Sequence, residues 1–137
     1  MKNLFRGVLV ALAFVSANVL AGATNPQSVV IDMDIRTAQG DMVTARTAET
    51  ESDLIGCGIR VFDDGLGNIF QFGFCQAEDA TGQIVTCMTQ QPEMVAAIGR
   101  LSDFSYISFS WNDVQDCTRV ANSTQSWYLP KNVKGNK

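Results

Sequence analysis

The chain has 137 residues, 46% of them hydrophobic and 18% charged, with a net charge of −4 and no histidine. That length suits one domain, and a chain so apolar and so weakly charged is not expected to stay disordered. The missing histidine removes the usual serine triads, cysteine–histidine dyads and the commonest metal ligand, and the acidic balance disfavours nucleic acid and anionic membrane surfaces as partners.

Lys2 and Arg6, the apolar run Gly7-Val8-Leu9-Val10-Ala11-Leu12-Ala13-Phe14-Val15 and the small residues Ala21-Gly22-Ala23 follow the layout of a secretory signal peptide over residues 1–21, with cleavage after Ala21 or Ala23. Ser16, Ala17 and Asn18 break the apolar run well short of the roughly 20 residues a membrane span needs. The mature chain is therefore expected to be periplasmic or secreted, with no membrane span. Losing Lys2 and Arg6 takes the net charge from −4 to −6. Arg36, Arg46, Arg60, Arg100 and Arg119 are scattered, so no basic patch offsets that charge, and the lysines of residues 131–137 read as a flexible basic tail.

Residues 24–130 are expected to form one disulfide-stapled domain. Val29, Ile31, Met33 and Ile35 alternate with polar neighbours as a half-buried strand does, Gln39-Gly40-Asp41 supplies a turn, and 42–47 reads as the return strand of a hairpin. The polar, acidic stretch 48–54 reads as a surface loop. Alternation resumes over 57–62, turn chemistry follows in Asp63-Asp64-Gly65-Leu66-Gly67-Asn68, and 69–76 forms the next strand, with Phe70, Phe72 and Phe74 on one face and Gln71, Gly73 and Cys75 on the other. Thr81-Gly82 turns the chain into a strand at 84–88, completing a meander.

Pro92 and Glu93 open a helix predicted at 91–101, since proline is tolerated in a first turn and an acidic side chain complements the positive end of the helix dipole. Met94, Val95, Ile98 and Leu101 make its apolar stripe. The aromatic, serine-rich stretch 104–111 reads as a well-covered strand with Ile107, Phe109 and Trp111 on one side; 117–121 is a further strand, and Trp127-Tyr128-Leu129 a short edge piece.

Cys57, Cys75, Cys87 and Cys117 are an even set without C-x-x-C spacing, which in an exported chain points to two disulfides rather than metal or redox chemistry. Two pairings fit the strands: Cys75 with Cys87 and Cys57 with Cys117, or Cys57 with Cys75 and Cys87 with Cys117. The fold class is α+β, predominantly β: a small antiparallel β-barrel or curled sheet with one helix. The element order resembles the OB-fold, including the disulfide-bonded binding subunits of secreted bacterial toxins, and that resemblance implies a barrel but no function.

No cofactor or metal site is expected. The Asp32/Asp34 and Asp63/Asp64 pairs are the only obvious carboxylates for a glycosidase-type mechanism, and both suit solvent-facing or turn positions better. The loop 63–68 lacks the ligand spacing of a calcium-binding EF-hand. Tyr106, Trp111, Trp127 and Tyr128 are the ligand-binding candidates, because flat rings beside serines, asparagines and threonines suit protein and glycan surfaces. The leading expectation is a non-enzymatic exported binding module for a protein or glycan. The alternatives are a periplasmic enzyme inhibitor or immunity protein using the acidic loop 49–53, and a small carboxylate-dependent hydrolase. An exposed edge near Trp127 leaves a homo-oligomer open.

Overall fold

The computed structural model describes residues 23–130 except Glu51, so the signal-peptide and basic-tail expectations fall outside the described residues. Chain order gives strand β1 (Val30–Asp32), β2 (Thr37–Asp41), helix α1 (Met42–Arg46), β3 (Leu54–Asp63), β4 (Ile69–Glu78), β5 (Ile84–Thr89), α2 (Pro92–Ile98), β6 (Tyr106–Trp111), β7 (Cys117–Ser123) and a 3-10 turn at Ser126–Tyr128. The protein is mostly β, in two antiparallel sheets of order β1-β2-β6-β7 and β3-β4-β5. These sheets do not close into a barrel, which corrects the barrel expectation. They are joined covalently where Cys87 of β5 is bonded to Cys117 of β7, beside which the Met88 N–H donates to the Gln115 carbonyl.

The second disulfide joins Cys57 to Cys75, directly opposed on β3 and β4, so the second of the two predicted pairings holds. Two bridges are compatible with an oxidising, extracellular environment.

Between the sheets lies one core, in which Ala38, Ile107, Phe109 and Trp111 meet Ile55, Cys75, Ala77, Val85 and Cys87. Helix α2 lies within the predicted 91–101 and is closed onto the sheet by Val95 and Ile98, with Met94 and Leu101 half-buried as the stripe requires. Beyond Ile98 the chain keeps a helical path through the Arg100 to Ala97 and Leu101 to Ile98 backbone hydrogen bonds. Strand β6 buries Ile107, Phe109 and Trp111 as predicted, though Phe104 stands before it with φ +62°.

The first hairpin differs from expectation. Asp32 Oδ1 accepts hydrogen bonds from the Asp34 and Ile35 N–H groups, so the turn comes at 33–36 and leaves Met33 and Ile35 in solvent. The segment predicted as a return strand at 42–47 is helix α1, because Asp41 caps it: its carboxylate, 1% exposed, accepts from the Thr44 N–H at 2.7 Å and from Gln27 N–H at 2.6 Å. The predicted edge piece at 127–129 is the 3-10 turn rather than a strand.

Candidate interaction surface

The four aromatic candidates separate. Trp111 and Tyr128 are buried, and Tyr106 stacks on Tyr128 with ring centroids 5.7 Å apart while its hydroxyl donates to Gln39. Burial, and secondarily the neighbouring Tyr128, raises the Tyr106 phenol above its ordinary range, partly opposed by Arg119. Trp127 alone of the four is exposed, at 45%, beside a cleft of about 470 Å³ that it shares with Asp41, Thr44 and Tyr128. Asp41 is already committed there: its carboxylate accepts from Gln27 N–H, Thr44 N–H and the Thr44 hydroxyl.

The candidate carboxylates serve turns. Asp63 accepts from Gly65 N–H, and Asp64 accepts from the Leu66 and Asn68 N–H groups and the Asn68 side chain. The Asn68 side-chain hydrogen bond, helped by the two backbone donors, holds the Asp64 carboxyl below its ordinary range. In the acidic loop, Thr50 donates its hydroxyl to Asp53, and Glu51 lies outside the described residues.

The larger exposed feature is one that residue pattern alone did not single out. Gly73, Cys75 and Ala77 form the buried row of β4, so Phe70, Phe72 and Phe74 occupy its outer face. Phe62 of β3 sits directly opposite Phe70, and its ring stacks on Phe70 at 5.1 Å and on the diagonal Phe72 at 5.9 Å, with interplanar angles of 16° and 15°. Next along the ladder, the Arg60 guanidinium lies 4.7 Å from the Phe74 ring centroid. Phe74 in turn lies across Gly58, where a Cβ would meet its Cζ at 2.9 Å.

Strand lengths make this aromatic ladder project. Strand β5 pairs with Gly73–Glu78 of β4, so among the described residues Ile69 to Phe72 pair with β3 alone. Four residues at about 3.3 Å each give a two-stranded arm of about 13 Å beyond the third strand. Both of its faces are apolar and open: Phe70 is 56% exposed on one, Ile69 71% on the other, and Leu66 at the tip 86%. A groove of about 760 Å³ runs along its base between Phe70, Phe72, Met88, Gln91, Asn112 and Asp116. Acidic side chains border the arm at Asp63, Asp64 and Asp116, and Arg60 lies on its outer face.

Two signals in the sequence mark this face. The alternation of Phe70, Phe72 and Phe74 with Gln71, Gly73 and Cys75 puts the phenylalanines on one face, and a disulfide-bonded cysteine favours the covered one.

No protein-family model, curated protein or solved structure matches the chain. Among the described residues, no helix is long and apolar enough to cross a membrane.

Proposed function

We propose that the protein is an exported, non-enzymatic binding module, acting in the periplasm or outside the cell, whose outer β3–β4 face engages a protein that is apolar at the centre of its contact surface and basic at the rim. The observation that carries the reading is the stacked Phe62–Phe70–Phe72 ladder on a projecting arm, with Phe62 and Phe70 exposed and Phe72 half-buried beside the groove. Single exposed apolar residues are ordinary, but a contiguous patch of this kind marks an interaction surface. Phenylalanine rings offer area without hydrogen bonds, which suits a desolvated protein contact better than a sugar, whose hydroxyls need polar partners. The acidic border supplies complementarity to a cationic rim and speeds encounter with it.

The inhibitor alternative is a special case of the same surface. An arm tipped by the exposed Leu66 can enter a cleft, which supports the arm as the inhibitory element in place of the loop at 49–53.

The test is capture from periplasm and culture medium by the oxidised, exported protein, run beside Phe62→Ser/Phe70→Ser and Trp127→Ala variants. A stoichiometric protein partner kept by Trp127→Ala, lost by the phenylalanine variant and weakened by salt supports the reading. Glycan-array binding lost in Trp127→Ala, with no protein partner, refutes it.

A further inference from the structure

Strand β3 has a free hydrogen-bonding edge along the projecting arm. Among the described residues its only ladder partner is β4. The Asp64 N–H donates to the Asn68 carbonyl at 3.2 Å, which marks 64 and 68 as a hydrogen-bonded pair of that ladder. Antiparallel pairs alternate, so Phe62 with Phe70 and Arg60 with Phe72 are also hydrogen-bonded pairs, and Ile59, Val61 and Asp63 turn their N–H and C=O groups away from β4. The hydrogen bond from Asp79 N–H to the Gln83 carbonyl fixes the β4–β5 ladder in the complementary phase. Edge groups in such a row template the addition of another strand.

The charges along this edge are self-complementary. Arg60 has no carboxylate partner among the described residues, where the only salt bridge is Arg36–Asp113, and Asp64 lies four positions further on, just past the end of β3, its carboxylate accepting from Leu66 and Asn68. Turning one copy antiparallel to another sets Arg60 opposite the second copy's Asp64, and the two-fold axis repeats the pair at the other end. In that register Val61 faces the second copy's Asp63 in a hydrogen-bonded pair, and Phe62 faces its own counterpart in the closer, non-hydrogen-bonded kind. The Phe62–Phe70 stack then runs on across the axis.

We infer that the protein forms a two-fold dimer through its β3 edges, joining two three-stranded sheets into one six-stranded antiparallel sheet with an unbroken aromatic face. This goes beyond the partner reading and does not depend on it, since edge pairing leaves the outer face open.

The experiment is light-scattering mass of the oxidised protein over a concentration series, with three variants. Wild type is expected to move from the monomer mass to twice that value. Val61→Pro removes an edge N–H that β4 does not use, and is expected to stay monomeric with an unchanged near-ultraviolet circular dichroism spectrum. Arg60→Glu sets like charges together at both ends and is expected to weaken the dimer by about tenfold or more. Because all four native cysteines are paired, Phe62→Cys is expected to give a covalent dimer through residue 62, whereas Leu66→Cys, at the arm's tip, is not. A wild-type protein monomeric throughout overturns the inference. So does a dimer that survives both Val61→Pro and Arg60→Glu, or one that cross-links at Leu66→Cys and not at Phe62→Cys.

Discussion

A Cβ built on Gly73 would lie 2.6 Å from Cδ1 of Ile98, so helix α2 rests directly on the backbone of β4. That close approach explains the inversion of the strand. The row facing the helix must be small, Gly73-Cys75-Ala77, and the period of two then sends the phenylalanines outward.

Gly73→Ala is expected to destabilise the protein by about 1 to 2 kcal/mol through overpacking. Ile98→Val removes the atom in conflict and costs about 1 kcal/mol alone. Denaturant unfolding of the double variant should therefore fall short of the sum by about 1 kcal/mol. Strict additivity would mean that the helix does not sit on Gly73.

Replacing each disulfide by a serine pair is expected to cost about 3 kcal/mol for Cys57–Cys75 and slightly more for Cys87–Cys117, because the latter closes the longer loop, 30 residues against 18. The two losses should differ in kind. Without Cys87–Cys117 the seam between the sheets is held by the hydrogen bond at Met88 and side-chain packing, so amide exchange should accelerate in both β5 and β7. Peptide mapping under non-reducing conditions checks the pairing itself.

Acid sensitivity should centre on Asp79. Burial alone would raise its carboxyl, but hydrogen bonds from the Thr81 hydroxyl and N–H, the Gln83 N–H and the Ile31 N–H outweigh burial and hold it below the ordinary range. A depressed folded-state value contributes stability above the unfolded value of about 3.9, and that contribution is lost as pH falls through the lower folded value. Asp79→Ala is thus expected to cost about 1 to 3 kcal/mol at neutral pH. The gap between variant and wild type should shrink steadily below about pH 4 in a series of unfolding curves.

Phe62→Ser and Phe70→Ser should each change stability by less than about 1 kcal/mol, since both residues are about half exposed, at 44% and 56%. A loss above about 3 kcal/mol in thermal or denaturant unfolding would mean that these rings are core.

The meander of β3, β4 and β5, the helix at α2 and the buried face of β6 were legible in the sequence, because local signals there agree with tertiary packing. Turn residues at 63–68 and 81–82 separate alternating strands, and Pro92 opens a stripe that packs where its periodicity points. The first 25 described residues, 23–47, were less legible, since local hydrogen bonding overrode the pattern. Asp32 closes a turn inside an alternating run, and Asp41 caps a short helix through the β-branched Val43 and Thr44, which read as strand. Of the candidate aromatics, Trp111 and Tyr128 lie in the core, where a ring cannot be told from a surface ring by composition alone. The outward phenylalanines needed one further step, the inference that Cys75, disulfide-bonded in either of the two expected pairings, marks the covered face of its strand.

The most direct measurement of the central claim is amide hydrogen exchange on the exported protein, free and bound to its captured partner. Protection on binding is expected in peptides covering 58–76 and 84–89, with 122–130 unchanged. Protection confined to 122–130, around Trp127, with exchange across the β3–β4 arm unaltered, would contradict it.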